Sequence, residues 1–382
     1  MRLLVLGAGL QGSACAYDLL NDPDVTQVRL ADVRVDQLPP FLAPYLGSRL
    51  VAEPLDAKNR AAVGALMRES QAVMSALPYY LNGDMAELAV QAGVHYCDLG
   101  GNTEIVRRQK QLDAEARAKG LSVVPDCGLA PGMVNILAQH GIDQLDGVDA
   151  VRLYVGGLPQ RPEPPLNYQV VYSLEGVLDY YTTRSWVLRN SRLTNVTALS
   201  EVEAVEFPAP LGTLEAFHTA GGLSTMAFRY EGRIPTMEYK TLRYPGHARV
   251  METIRDLGFL DLDPVSVRGV EVTPRDVAVA VLEPRLRKAS SPDLVVVRVV
   301  VEGKKNGQAT RVGWELVDRC DEARGITAMM RTTGYSLAIT ALMQVRGQIR
   351  PGVCTPDECV PARPYIDALA RRGIDIRGVS GD

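Results

Sequence analysis

The sequence predicts an α/β protein of two domains: an N-terminal doubly wound parallel sheet, then a second α+β domain containing a mixed or antiparallel sheet. Three observations predict this. Met1 to Leu20 reads MRLLVLGAGLQGSACAYDLL, an apolar run of strand length that breaks at a glycine turn and resumes with helical spacing. A strand–helix alternation then continues to about residue 128. Beyond Val151 the character changes to proline-rich, strand-like segments with short helices between them. With 382 residues and 46% hydrophobic content, the chain is too long for one ordinary core. We therefore expect a nucleotide-type domain over 1–128, a second domain over 129–334, and a tail, 335–382, that packs back on the first.

Each element of the first domain has a local reason. Arg2 to Leu6 is the first strand, and Gly7, Gly9 and Gly12 fall at the G-x-G-x-x-G spacing before a helix. Gly7 makes the tight turn, Gly9 lets a pyrophosphate approach the backbone, and Gly12 allows close helix–strand packing. The pyrophosphate would sit on the helix N-terminus, at Leu10 and Gln11. The next strand, Val25 to Ala31, ends at Asp32, twenty residues after Gly12, where a carboxylate accepts a ribose 2′-hydroxyl. This is a Rossmann pattern. Asp32 repels a 2′-phosphate, so NAD is the expected cofactor, although Arg34 partly offsets that charge.

A short strand at Arg49 to Ala52 precedes Asp56, which caps the helix Asn59 to Glu69 or accepts from an adenine amino group. Ala72 to Leu77 is a buried strand stopping at Pro78. Carboxyl ends of such strands border the ligand, which places Ala76, Leu77 and Pro78 beside the cofactor. The helix Asn82 to Ala92 ends at Gly93. Strand His95 to Leu99 runs into Gly100 and Gly101, so Leu99 and these glycines join the same border. One helix is expected over Thr103 to Lys119, then the strand Leu121 to Pro125, then a loop with Asp126 and Cys127 and the helix Met133 to Gly141. In the second domain the strand signals are VRLYVGGLP, PEPPLNYQVVYSLEG, Ala204 to Phe207, Met237 to Tyr244, and Leu294 to Val301 with Ala309 to Asp318 as its hairpin partner. Helices are expected over Ala248 to Leu257, Pro274 to Glu283, Ile326 to Val345 and Cys359 to Arg372.

Net charge is −4 with interspersed signs, which offers no footprint for nucleic acid or a membrane surface. The longest apolar runs are strand-sized, and the first strand leaves no room for a signal peptide. Six cysteines without metal or C-x-x-C spacing read as reduced thiols of a cytoplasmic protein, and four scattered histidines give no metal site.

The quoted stretches, together with DLGGN at Asp98 to Asn102, DCGLAPGMVNILA at Asp126 to Ala138, SLEGVLDYYT at Ser173 to Thr182, LEAFHTAGG at Leu214 to Gly222, EYKTLRYPGH at Glu238 to His247 and MRTTGY at Met330 to Tyr335, resemble the saccharopine dehydrogenase-like family of NAD(P)-dependent oxidoreductases over nearly the whole chain. From YVGGLP through YPGH the likeness is greatest to the L-lysine 6-dehydrogenases. The resemblance implies oxidation of the lysine ε-carbon with release of ammonia and 2-aminoadipate 6-semialdehyde, by a homodimer or higher homo-oligomer. One departure bears on the substrate: Asn102 follows DLGG where those enzymes often carry histidine. Two rivals remain. One is C–N reduction or cleavage of a secondary amine, as with saccharopine or carboxynorspermidine, with Arg184 or Arg229 as a second carboxylate anchor. The other is a nucleotide-binding regulator without catalysis.

Hydride leaves a C–H next to nitrogen only when that nitrogen is neutral, and a free lysine amine has a pKa of about 10.4. A base is required. Lys240, His218 and Asp126 are the candidates, against a solvated strand charge, a structural histidine and a turn carboxylate respectively. Arg243 and Arg331 are the candidate forks for a substrate carboxylate. Glu175 is the partner for an α-ammonium or a helix-start residue, and Thr219 and Gly222 belong to a loop able to approach a ligand. Cys127, after the last strand of the domain, is expected to line the site under the cofactor, without nucleophilic activation.

Overall fold

Strand β1 (Arg2–Leu6) is buried from Leu3 onward, which is why it reads as an unbroken apolar run and not as an alternating one. The computed structural model describes residues 1–170, 173–287 and 292–380. After β1 come α1 (Leu10–Leu20), β2 (Gln27–Asp32), β3 (Leu50–Pro54), α2 (Arg60–Arg68), β4 (Ala72–Ser75), α3 (Asn82–Ala92) and β5 (His95–Asp98). The single helix expected over Thr103 to Lys119 is two, α4 (Thr103–Lys110) and α5 (Asp113–Ala118). β6 (Ser122–Val124) and α6 (Met133–Ile142) follow.

The chain then builds a second sheet from β7 (Gly147–Pro159). Next are α7 (Leu174–Thr182), β8 (Ser185–Arg189), β9 (Arg192–Val196), β10 (Glu203–Phe207), β11 (Gly212–His218), α8 (Met226–Tyr230), β12 (Thr236–Arg243), α9 (His247–Asp256), β13 (Val265–Val267), β14 (Val270–Val272), α10 (Pro274–Leu286), β15 (Asp293–Lys305) and β16 (Gln308–Arg319). The last elements are α11 (Ala328–Val345), β17 (Gly352–Val353), α12 (Pro356–Cys359), α13 (Ala362–Ala370) and β18 (Arg377–Ser380). No strand forms in the PEPPLNYQ part of the expected stretch, and Val171 and Tyr172 lie outside the described residues.

Two units result. The first takes Met1–Leu145, Ser224–Met226 and Cys320–Gly378; the second takes Asp146–Leu223, Ala227–Arg319 and the remainder. The boundary expected at 128 therefore falls inside the first unit. The reason is α6, whose Met133, Val134, Ile136 and Leu137 are buried and which packs with α12 and α13. The return comes at Cys320, earlier than 335, because α11 lies against α1 and the strands β4 and β5. Gly334 permits this: a Cβ there would lie 2.7 Å from the Ala14 Cβ.

The first sheet runs β17-β6-β5-β4-β1-β2-β3, and every described pair in it is parallel. Strand order reverses at β1/β4, the switch point where such sheets bind ligand. The second sheet runs β10-β11-β12-β7-β15-β16-β18, with β8 on β12 and β9 on β8. It is mixed: β12 pairs β7 in parallel, while β15 pairs both β7 and β16 antiparallel. The expected hairpin β15–β16 turns at Asn306-Gly307, both at positive φ. Besides β10–β11, of which only the first strand was expected, two hairpins lie outside the sequence reading: β8–β9 through Asn190-Ser191 and β13–β14 through Arg268-Gly269. Their turns also use positive φ, but neither shows an Asn-Gly signature before alternating apolar residues. Among the described residues no helix is long and apolar enough to cross a membrane.

Candidate active site

In the first unit, the turn after β1 is shaped by steric demands that only glycine meets. Gly7 has φ +96°, and a Cβ there would lie 2.9 Å from the Ala76 carbonyl oxygen, so the fingerprint turn and the end of β4 touch. A Cβ on Gly12 would collide with the Gly7 carbonyl. Gly9 differs: it is exposed, and a Cβ there would meet nothing within 4 Å. Open space thus lies at the N-terminus of α1, beside Leu10 and Gln11, and the buried Gln11 Oε1 has no hydrogen-bond partner among the described residues. Asp32 ends β2 with its carboxylate held by two backbone donors, Ala8 N–H at 2.7 Å and Arg34 N–H at 3.0 Å. A helix N-terminus, a cradle that a side chain would fill, an unpartnered carbonyl and an oriented carboxylate fit a dinucleotide.

Ala76, Leu77 and Pro78 follow β4 at the same edge, and Leu99 joins them through its N–H to the Ser75 carbonyl at 3.3 Å. Tyr79 and Tyr80 form an exposed edge-to-face pair directly after Pro78, where an aromatic residue carries no fixed signal in the sequence. The capping alternative for Asp56 and the lining role of Cys127 change here. Asp56 is exposed and accepts the Lys58 N–H, while Asn59 caps α2. Cys127 is 1% exposed, its Sγ lies 3.1 Å from the Val124 carbonyl, and burial pushes the thiol well above its ordinary value. It packs beneath the surface and does not line the site.

The carboxyl ends of β5 and β6 carry two buried carboxylic acids. Asp98 accepts Gly100 N–H at 2.7 Å, Asp126 N–H at 3.3 Å and Gln109 Nε2–H at 2.6 Å. Asp126 accepts Gly101 N–H at 3.4 Å and the Ser224 hydroxyl. Its backbone is in the left-handed region, φ 62°, and a Cβ on Gly100 would overlap its carboxylate. Desolvation pushes Asp98 up to about 6. Desolvation, with the charge of Asp98 adding to it, pushes Asp126 up to about 7. A carboxyl poised near neutrality at a ligand-binding sheet edge suits proton transfer.

The second unit separates its candidates by strand parity. In the β11–β12 ladder, His218 pairs with Lys240 and Phe217 with Thr241. Glu238, Lys240 and His218 therefore share one face, and Tyr239, Thr241 and Arg243 share the other. On the first face Lys240 Nζ donates to Glu203 Oε1 at 2.9 Å and to the Glu201 carbonyl at 2.8 Å. His218 Nδ1 faces the Tyr239 carbonyl at 3.2 Å, and burial lowers the imidazole's pKa. Glu201, His218 and Glu238 bring three ligand-type groups within 4.8 Å of one another. An arginine lies among them: Arg189 NH2 donates to Glu201 Oε2 and Glu238 Oε2, each at 2.7 Å, supplying an organic cation there.

On the opposite face Thr219 and Thr241 hydroxyls bond at 2.7 Å, and Gly222 lies so close to the Tyr239 ring that a Cβ would enter it. Arg243 is 4% exposed; its Nε donates to the Tyr181 hydroxyl at 3.3 Å and its guanidinium lies 4.7 Å over the Tyr168 ring. Thus Thr219, Gly222 and Arg243 gather with Tyr239 and Thr241, and Lys240 and His218 do not join them. Tyr181, His247 and Thr241 lie in the motifs quoted above, but nothing local in a sequence says which face of a strand a helix will cover. Glu175 is exposed in the first turn of α7, which Ser173 caps through Gly176 N–H. Arg331 spends its guanidinium on the Arg372 and Gly373 carbonyls at 3.3 and 3.1 Å.

The saccharopine dehydrogenase NADP binding domain matches residues 3–124, and the saccharopine dehydrogenase C-terminal domain matches residues 128–374. The chain is 24% identical over 286 residues to the mitochondrial alpha-aminoadipic semialdehyde synthase of Mus musculus, a match covering 72% of this chain and 30% of that protein. The chain thus spans under a third of the length of that relative. It is 22% identical over 446 residues to the saccharopine dehydrogenase [NADP(+), L-glutamate-forming] of Schizosaccharomyces pombe, covering 97% of each. Among solved structures, the apo saccharopine dehydrogenase (L-Glu forming) of Saccharomyces cerevisiae shares the fold at a TM-score of 0.81 and 19% identity, with all of both chains covered. The homospermidine synthase of Legionella pneumophila, solved with NAD, shares it at 0.71 and 12%, covering 100% of this chain and 91% of that one.

Proposed function

The chain belongs to the saccharopine dehydrogenase family, and from that premise we propose that it is a nicotinamide-dependent dehydrogenase acting at a C–N bond of an amino acid. The observation that carries the reading is Asp126, a buried carboxyl at the end of β6 with its pKa raised to about 7. When bound, the nicotinamide supplies the hydride acceptor for the carbon next to nitrogen. Gly7, Gly9, Gly12 and the start of α1 hold the pyrophosphate, and Asp32 receives a ribose hydroxyl, which favours NAD. Ionised Asp126 takes the proton from the substrate ammonium, leaving the nitrogen lone pair available. Asp98 fixes the loop carrying Asp126 through the Gly100 and Asp126 N–H groups. The base is assigned to Asp126 in place of Lys240 because Lys240 is engaged by Glu203 on the opposite face from Arg243. Within the second unit, taken by itself, Arg243 is the fork offered to a substrate carboxylate.

L-lysine, oxidised at its side-chain amine with loss of ammonia, is the leading substrate. A secondary amine of the saccharopine type is the second reading, favoured by the name of the one relative reported above with 97% of both chains covered. NADH and NADPH formation, followed by absorbance with L-lysine, ornithine, saccharopine and a diamine at mildly alkaline pH, separates them. Turnover of lysine with stoichiometric ammonia supports the first, and turnover of saccharopine alone the second. Absence of turnover on all four, with cofactor bound, overturns the dehydrogenase reading.

A further inference from the structure

Behind Arg243 stands a chain of hydrogen bonds that the proposed chemistry does not use. The His247 Nδ1 lies 3.2 Å from the Leu166 backbone carbonyl, and its Nε2 lies 2.9 Å from the Tyr181 hydroxyl. The Tyr181 oxygen in turn lies 3.3 Å from Arg243 Nε. A carbonyl can only accept and a guanidinium can only donate, so both ends of this chain are fixed. Leu166 requires the proton on Nδ1. Burial, with the Arg243 charge adding to it, pushes His247 down to about 3, so Nε2 carries no proton and must accept. Tyr181 therefore donates to His247 and keeps its lone pairs for Arg243.

We propose that Tyr181 and His247 are positioning residues that aim the Arg243 guanidinium at the substrate carboxylate. The inference rests on the dehydrogenase reading above for the identity of that substrate.

The surroundings hold this relay in one geometry. His247 is 2% exposed and stacks on Phe217 with centroids 6.2 Å apart and planes 5° from parallel. Its backbone is bracketed by Glu215, whose carboxylate accepts Gly246 N–H at 2.8 Å and Ala248 N–H at 2.5 Å. Tyr168 lies edge-on to His247 and under the Arg243 guanidinium, so one ring packs both ends of the relay. A long, flexible side chain such as arginine loses rotamer freedom when it binds. Here that ordering is completed before the ligand arrives. Tyr181, Arg243 and His247 come from two motifs visible in the sequence, SLEGVLDYYT and EYKTLRYPGH, which the fold joins.

The test compares ligands with and without the carboxylate. Tyr181→Phe removes the hydroxyl, His247→Phe keeps the stacked ring but removes the acceptor, and His247→Gln restores an acceptor near the Nε2 position. The expected result is a KM for L-lysine or saccharopine raised roughly tenfold in Y181F and H247F, with kcat within about threefold. H247Q recovers most of the loss, and kcat/KM for the decarboxylated diamine cadaverine is unchanged. Equal losses on carboxylated and decarboxylated substrates, or no loss on either, overturn the proposal. If the wild-type enzyme turns over none of these, calorimetric titration of its NADH complex with lysine, saccharopine and cadaverine reads the same selectivity without catalysis. A preference for the carboxylated ligands that Y181F abolishes then supports the relay although the dehydrogenase reading has failed, and the absence of such a preference overturns the relay as well.

Discussion

Replacing Asp126 by asparagine removes one charge and one proton site while preserving shape. Asparagine tolerates the left-handed backbone at φ 62° and can still meet Gly101 N–H and the Ser224 hydroxyl. The wild-type carboxyl moves from its ordinary 3.8 to about 7 on folding. A raised carboxyl pKa means that the native state prefers the proton. Stability from this group is therefore fully present below about pH 4 and is lost as pH rises through about 7. At roughly 1.36 kcal/mol per unit, the loss is on the order of 4 kcal/mol. Urea unfolding at pH 5 and pH 8 should show wild type losing stability across that interval, and D126N losing distinctly less. Asp98, also raised, retains its share of the slope. Catalysis should run the other way: wild-type turnover rises with pH through about 7 as the base ionises, and D126N turns over roughly 10²- to 10⁴-fold more slowly. Wild-type turnover in D126N, or an unchanged pH dependence of stability, would refute the reasoning.

Gly9→Val should lower the melting temperature by no more than a few degrees, since an added Cβ meets nothing within 4 Å beyond its chain neighbours and the cost is that of a poorer helix N-cap, yet weaken NADH fluorescence binding at least tenfold. Gly12→Ala drives a methyl into the Gly7 carbonyl and should lower thermal stability even without cofactor. Asp32→Ser removes the charge that opposes a 2′-phosphate and leaves Arg34 beside the site, so the NADP-to-NAD ratio of kcat/KM should rise at least tenfold. Lys240→Met breaks the pair with Glu203 and should keep turnover within about threefold; a loss as large as that of D126N would return the base to Lys240.

The first unit was legible because its signals are local. A parallel strand buried on both faces is a continuous apolar run, and glycine spacing states where the backbone must pass close to something. The sheet-edge positions of Ala76 and Leu99 were read from strand ends, and that of Asp32 from a strand end together with its spacing from Gly12. The second unit was legible only as a class. Whether Lys240 or Arg243 faces the helices α7, α9 and α10 depends on which side of β12 they cover, and residues three apart on a strand face opposite ways. Conserving a motif's letters in one line, EYKTLRYPGH, does not place them together: Glu238 and Lys240 lie on one face and Arg243 on the other. The Thr103 to Lys119 helix divides for a similarly nonlocal reason, since Asp113 at the start of α5 accepts Val353 N–H across 240 residues at 2.8 Å.

The motifs DLGG and DCGLAPG are one structural device. Strands β5 and β6 are parallel neighbours, with Tyr96 opposite Val123 and Cys97 opposite Val124, so their ends emerge side by side. Asp98 binds the backbone that follows each strand, and Gly100 surrenders the volume of a Cβ to the Asp126 carboxylate. The left-handed backbone at Asp126 is thus stabilised from three directions: the Asp98 carboxylate, the Gly101 N–H and the Ser224 hydroxyl. Any side chain at Gly100 would displace Asp126 before touching Asp98. Gly100→Ala should consequently reproduce the turnover defect of D126N while leaving the Asp126 carboxyl present, which separates the position of the base from its chemistry. If G100A instead turned over at the wild-type rate, the close packing of these two motifs would be irrelevant to catalysis.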